Sequence, residues 1–258
     1  MDEYLTFASA LAKEAGAIMK TFFGTEHSLP KWKNANDPVT LADKSINTLV
    51  IDKIKASYPD HGVLGEEESF NTGAEYLWVV DPVDGTIPFV LGLPISTFLI
   101  SLVINGRPKV GVAYNPWIDL MYHAQEGQGA YCNNKKLTMT EPATKFIEFI
   151  SWHSSPFSKE LEGVKEKLEA AGLSPQNFAG GNSRYSVAEN RLYGVIFGGK
   201  DPWDAALLDL LIHEAGGKVT DMDGNQLDFR ESIHGAVAGT HKTHAELLRI
   251  VKNENHRD

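Results

Sequence analysis

A chain of 258 residues, 42% of them hydrophobic, has ample material for one large globular unit or two tightly packed halves. Its 24 Lys and Arg stand against 34 Asp and Glu, a formal charge of −10, which excludes nucleic acid as a main partner because such binding rests on a basic surface. An acidic chain still accommodates an anionic small molecule if it first binds cations. The single cysteine, Cys132, allows no internal disulfide and reads as a packed residue of a reducing, cytoplasmic protein. Met1-Asp2-Glu3 lacks the basic start of a signal peptide. The most apolar run, Val90 to Ile104, is too short for a bilayer and contains Gly92 and Pro94, so no membrane partner is expected.

In chain order, Leu5, Ala8, Leu11, Ala12, Ala15, Ile18, Met19 and Phe22 repeat at helical spacing and predict a first helix with a core stripe. Pro30 to Asp37 reads as a polar loop. A second helix is predicted over Leu41 to Ser57, with Ile46, Leu49, Val50 and Ile54 inward. Val63-Leu64 is a short apolar strand, and Leu77 to Val80 a strand covered on both faces, since its apolar residues do not alternate. Ser96 to Ile104 and Lys109 to Tyr114 pair across an Asn105-Gly106 turn, and Asp119 to Gln125 pairs with Gly129 to Asn133. The polar stretch Thr138 to Lys145 divides the chain into an N-terminal half, residues 1–140, and a C-terminal half, residues 141–258. In the second half, a strand near Phe146 to Trp152 precedes a helix over Ser158 to Ala171 and further strands to Phe197. A clear helix opens at Asp201-Pro202 and closes at Gly216-Gly217. Strands at Val219 to Thr220 and Ala236 to Ala238 and a helix over His241 to Lys252 complete a mixed, layered α+β architecture.

Acids collect at the ends of these elements. Glu66 follows the short apolar strand, Asp81 and Asp84 follow the buried one, and Asp43 and Asp204 each lie in the first turn of a helix. A carboxylate in a first turn serves equally well as a plain cap; Glu67 and Glu68 read as solvated. Asp81 and Asp84 are different, because two converging carboxylates beside a core strand repel unless a cation neutralises them. An all-carboxylate set without His or Cys suits a hard divalent ion, Mg²⁺ above all. The N–H groups at Gly85-Thr86 open what reads as a short helix and offer an anion site. Cations beside an anion cradle are the parts of phosphate-ester hydrolysis.

Gly65-Glu66-Glu67, Trp78-Val79-Val80-Asp81-Pro82-Val83-Asp84-Gly85-Thr86 and Pro202-Trp203-Asp204 resemble, in order, the signature segments of the inositol monophosphatase family; Asp37-Pro38-Val39-Thr40-Leu41-Ala42-Asp43 is similar to a fourth. The resemblance implies a layered α-β-α-β-α sandwich of the inositol monophosphatase and fructose-1,6-bisphosphatase type, a homodimer, and Mg²⁺-dependent hydrolysis of a small phosphomonoester. It implies a first Mg²⁺ on Glu66, Asp81 and the carbonyl of Val83, a second on Asp81, Asp84 and Asp204, and a weaker third reached from Glu66 through water. Glu66, Thr86 and Asp43 would be catalytic, with Asp43 orienting Thr86 and Thr86 positioning the attacking water. Asp84, Gly85, Thr86 and Asp204 would contact the substrate, the N–H groups of Gly85 and Thr86 holding its phosphate. Most ligands thus fall in the N-terminal half, with Asp204 and the specificity segments in the C-terminal one.

Two departures bear on the substrate. Ile87-Pro88-Phe89 stands where many members continue Thr-Asn-Phe. Counting back seven residues from Asp204, where inositol-specific members carry a hydroxyl-binding glutamate, reaches Phe197. Phe197 cannot satisfy hydroxyls, so fructose 1,6-bisphosphate, histidinol phosphate and 3′-phosphoadenosine 5′-phosphate stand as alternative substrates to an inositol phosphate. The segment Gly180-Gly181-Asn182-Ser183-Arg184-Tyr185 replaces the family's glycine-serine-alanine-alanine. Arg184, Tyr185, Arg191 and Lys200 are candidate substrate contacts, weighed against ordinary surface. A metal- or phosphate-binding protein without catalysis is the competing class, but it would be expected to have lost Glu66, Asp43 or Thr86, and all are present.

Overall fold

The structure is a computed structural model that describes residues 2–26, 29–34, 37–151, 157–178 and 181–252. Helices α1 (Asp2–Phe22) and α2 (Leu41–Ser57) flank a two-stranded ribbon of β1 (Lys31–Asn34) and β2 (Asp37–Val39). A seven-stranded sheet then runs in chain order through β3 (Gly62–Gly65), β4 (Tyr76–Asp84), β5 (Thr97–Ile104), β6 (Arg107–Asn115), β7 (Leu120–Gln125), β8 (Gly129–Cys132) and β9 (Lys135–Lys136). In this sheet β3 and β4 pair in parallel and the other neighbours antiparallel, and the short helix α3 (Thr86–Val90) leaves the end of β4. The second half supplies β10 (Phe146–Ile150), α4 (Val164–Ala170), β11 (Ser174–Gln176), a 3₁₀ helix (Ser183–Glu189), β12 (Gly194–Phe197), α5 (Pro202–Glu214), β13 (Lys218–Thr220), β14 (Ala236–Gly239) and α6 (His241–Val251). Its five strands lie in the order β11-β10-β12-β14-β13.

Strand alternation sets the layers. In β4, Trp78 and Val80 face α1 and α2, joining Leu11, Ala15, Ile46 and Val50, whereas Leu77 and Val79 face α5. In β12, Val195 and Phe197 also face α5, while Ile196 faces α4 and α6 beside Val164, Leu168 and Leu247. Three apolar clusters, the largest lying on both sides of α5, therefore fill the four gaps between five layers, the expected α-β-α-β-α sandwich. Helix α5 is the middle layer, and Ala205, Ala206, Leu207, Leu208, Leu210, Leu211 and Ile212 bury it on all sides. Gly111 lets it approach β6, since a Cβ there would stand 2.7 Å from Leu207 Cδ1. Among the described residues, no helix is long and apolar enough to cross a membrane.

The structure corrects three local expectations. The loop expected at Pro30 to Asp37 holds the ribbon, whose backbone pairs Lys31 with Val39 across residues 35 and 36, which lie outside the described residues. Backbone pairing of this kind leaves no apolar alternation to read. The helix expected from Ser158 starts only at Val164, because Gly163 in the left-handed region (φ 75°) precedes it and the residues before it form turns. The strand near Phe146 ends at Ile150; Trp152 lies outside the described residues.

One buried ion pair fastens the middle helix. Arg107 Nη2 on β6 donates to Asp209 Oδ2 on α5 at 2.6 Å, and its Nη1 donates to the carbonyl of Leu227 at 2.8 Å. The Asp209 side chain is 2% exposed, so without the guanidinium it is left with no neighbouring cation but the exposed His213, whose Nδ1 lies 3.5 Å from Asp209 Oδ1. Arg107→Ala is expected to lower the free energy of unfolding by about 3–5 kcal/mol, the range for orphaning a buried charge. Urea unfolding checks it, and pairing Arg107→Met with Asp209→Leu should return most of the loss.

Candidate active site

The acids meet at one end of the large sheet, and a strand irregularity brings them there. Residues three apart in a regular strand point to opposite faces. Between Asp81, opposite Leu99, and Asp84, opposite Thr97, β4 carries one residue more than β5. This bulge at Pro82-Val83 restores the phase, so Asp81 and Asp84 both turn toward α5. Pro82 has no amide to lose from the ladder, and Val83 N–H donates to Asp81 Oδ1 at 2.9 Å. Val83 itself turns to the opposite core, beside Phe89 and Phe98. The acids thus lie within the bulged end of the strand, not in a loop after it.

From the other side, Asp201 and Pro202 start α5 and put Asp204 in its first turn. One carboxylate oxygen from each of Asp81, Asp84 and Asp204 lies within 4.8 Å of the others. Glu66 follows β3, its N–H donating to the Val80 carbonyl at 3.1 Å, and lines the same cleft. The cleft encloses about 390 Å³ and is bounded by Glu66, Asp81, Val83, Asp84, Gly85, Thr86, Lys200, Asp201, Trp203 and Asp204. Burial pushes the Asp81 carboxyl well above the usual range, and the neighbouring charges of Glu66, Asp84 and Asp204 push it further. Burial also raises Asp84, against the opposing charge of Arg184, and raises Asp204 to about 8. Oxygen donors alone, held this close and short of counter-charge, fit a hard divalent cation.

Asp43 and Thr86 sit beside this group. Thr40 caps α2, and Asp43 completes the capping box by accepting from the Thr40 amide at 2.8 Å and from its hydroxyl. The other oxygen of Asp43 is 3.4 Å from Thr86 Oγ1, which also lies 3.1 Å from the Val83 carbonyl. Burial raises the Asp43 carboxyl to about 6 despite its bonds from Thr40. Gly85, with φ 89°, makes the left-handed turn from β4 into α3. Glu66, Asp81, Val83, Asp84, Gly85, Thr86 and Asp204 therefore line one cleft, with Asp43 directly behind Thr86.

The substrate-side expectations fare differently. Phe197 is fully buried and does not line the cleft. Arg184 and Tyr185 are not surface residues, being 4% and 0% exposed, because the 3₁₀ helix tucks them against α5. Lys200 does line the cleft, whereas Arg191 is exposed and pairs with Glu189. Gly180 lies outside the described residues. Gly181 touches Asp84 so closely that a Cβ would stand 2.7 Å from its Oδ2. Trp203 and Asp201, which sequence reasoning did not single out as site residues, also line the cleft, and both stand just before Asp204 in the turn that opens α5.

The sequence model of the inositol monophosphatase family matches residues 1–256. Inositol monophosphatase 2 of Solanum lycopersicum is 34% identical over 251 residues, covering 89% of this chain and 91% of its own. A Thermotoga maritima protein named fructose-1,6-bisphosphatase/inositol-1-monophosphatase is 29% identical over 257 residues, 96% of this chain and 95% of its own. The crystal structure of inositol monophosphatase-II from Staphylococcus aureus superposes with a TM-score of 0.81 at 27% identity, covering 100% of this chain and 98% of that one.

The raised carboxyl groups give a pH dependence with a defined sign. Their neutral forms are favoured by the fold, so in chelator their contribution to stability is complete below the ordinary aspartate value of 3.8 and is lost as pH rises through the Asp204 value of about 8. Thermal unfolding in EDTA is expected to show Tm falling across that window. A saturating divalent cation should flatten the fall, because it replaces the protons as counter-charge.

Proposed function

This chain belongs to the inositol monophosphatase family and is a metal-dependent phosphoric monoester hydrolase, and from that premise we propose how its cleft works. The observation that carries the proposal is the convergence of Asp81, Asp84 and Asp204 beside Glu66 and Thr86 in one cleft. Glu66, Asp81 and the Val83 carbonyl would hold one Mg²⁺, and Asp81, Asp84 and Asp204 a second, with Glu66 available to a third through water. Ions held there would supply counter-charge to the phosphoryl oxygens and would lower the pKa of a water for in-line attack on phosphorus.

The chain's own groups position the reactants. The Thr86 hydroxyl has one proton and two acceptors in reach, Asp43 Oδ1 and the Val83 carbonyl. Donating to either fixes the direction of its remaining lone pairs, which would accept a hydrogen bond from the attacking water and orient it. Asp43 is held still by the helix cap, so the hydroxyl's direction is inherited from the start of α2. The N–H groups of Gly85 and Thr86 would hold the phosphate. Thr86→Ala is expected to lower kcat at least about 100-fold with little change in KM, as for a group acting mainly in the transition state. An unchanged kcat at saturating substrate and Mg²⁺ would remove that role.

The substrate is a small phosphomonoester of inositol-phosphate type, accepted with breadth. Position 197 is a buried phenylalanine that offers ring hydroxyls nothing, and the cleft groups beyond the phosphate end are Lys200, Asp201 and Trp203. The double name of the Thermotoga maritima relative supports such breadth. The test is kcat/KM for inositol 1-phosphate, fructose 1,6-bisphosphate, histidinol phosphate and 3′-phosphoadenosine 5′-phosphate at one Mg²⁺ concentration, with EDTA as control. Phosphate release is expected to vanish in EDTA, and the substrates to differ by no more than shape discrimination allows, about 1–3 kcal/mol in activation free energy. Activity that survives excess EDTA, or a preference above about a thousandfold, would overturn the corresponding part.

Assembly as a homodimer in the cytoplasm completes the proposal. Exposed Ile87 (53%), Leu91 (67%) and Leu93 (47%) on and just after α3 support a partner-facing surface, and the free Cys132 supports a reducing compartment.

A further inference from the structure

Among the described residues, Arg184 is the one Lys or Arg buried against the acids of the cleft. Its Nη2 donates to both oxygens of Asp84, at 2.9 and 3.2 Å, and its Nη1 to the Asp204 carbonyl at 2.8 Å, with Asp204 Oδ1 at 3.5 Å. The guanidinium lies 5.6 Å from the centre of the Phe197 ring, the aromatic residue found where a hydroxyl-binding glutamate was expected. Buried Glu148, on β10, adds a third negative charge on the same side. Among the described residues, the Arg184 Nε and Glu148 Oε2 atoms have no hydrogen-bond partner, and the fork's hydrogen bonds go to Asp84 and Asp204. Phe197 and Arg184 therefore work as a pair: the ring supports the guanidinium, and the guanidinium bridges two carboxylates from different layers of the fold.

These two carboxylates are among the three assigned above to the second cation, and a guanidinium beside them already supplies part of the counter-charge and occupies lone pairs that a metal would use. We propose that Arg184 is a resident cation of the site, which holds Asp84 and Asp204 in register and competes with a divalent ion for their oxygens. The inference rests on the metal assignment of the preceding subsection. It makes Arg184 a positioning residue and predicts that this chain loads its second ion weakly. A unit charge within hydrogen-bonding distance of both ligands is enough to shift that affinity by at least about tenfold.

The test is calorimetric titration of Mg²⁺ into the whole protein, without substrate, for the wild type, Arg184→Met and Arg184→Lys. Methionine keeps much of the length and removes the charge, whereas lysine returns it. Arg184→Met is expected to bind its second Mg²⁺ at least about tenfold tighter than wild type, with Arg184→Lys close to wild type. Should Arg184→Met be unfolded in EDTA, Mg²⁺ is expected to refold it, and the rise of Tm with Mg²⁺ then gives the same comparison. Equal affinity in wild type and Arg184→Met would overturn the inference and leave the metal assignment standing. So would equal behaviour of the two variants, since charge would not be the cause, or an Arg184→Met chain that no Mg²⁺ refolds while Arg184→Lys folds normally. No Mg²⁺ binding by any of the three would overturn both.

Discussion

The arrangement of this molecule turns on one extra residue in one strand. Without the bulge at Pro82-Val83, Asp81 and Asp84 would face opposite sides of the sheet, one toward α5 and one into the apolar layer of α1 and α2. With it, both face the first turn of α5, while Val83 takes the vacated place in the apolar core. The same two residues lead to Gly85, whose left-handed conformation starts α3 beside the acids. Backbone geometry, more than the choice of acids, creates the site.

Such a site is costly to fold. Three carboxylates in a space of a few ångströms, taken from water, oppose their own ionisation. The surrounding structure answers with hydrogen bonds, with the guanidinium of Arg184 and with packing on both faces of β4. The tight seat of Asp84 against Gly181 belongs to the same answer, because a carboxylate confined on one side keeps its direction when its neighbours repel it.

Much of this was legible in the sequence. The span of α2 is the one its apolar spacing predicts, Leu41 to Ser57, and Asp201-Pro202 marks the start of α5 correctly. The acids were legible too, because each sits at the end of an element with a strong local signal. What was not legible needed a partner distant in sequence. A bulge shows only against the strand it faces, here Thr97 to Leu99 on β5. Arg184 sits in a 3₁₀ helix with no apolar period, so surface was the natural expectation; only the convergence of Asp84 and Asp204, separated in sequence by β5 to β12, explains why a guanidinium is buried there. Phe197 likewise reads as a substrate wall until β12 is seen to turn it inward beneath Arg184.

The position of α5 between the two sheets has a consequence for synthesis. The seven-stranded sheet is complete by Lys136, with Glu66, Asp81 and Asp84 in place, whereas Asp204 follows much later in the chain. Until α5 is made, the face of β4 to β7 that carries Leu77, Val79, Leu99 and Ala113 has no cover. A growing chain at that stage therefore exposes a wide apolar surface and an incomplete acid cluster at once. Both are closed by the same thirteen-residue helix, so the apolar cover of the sheet and the last acid of the cluster arrive together.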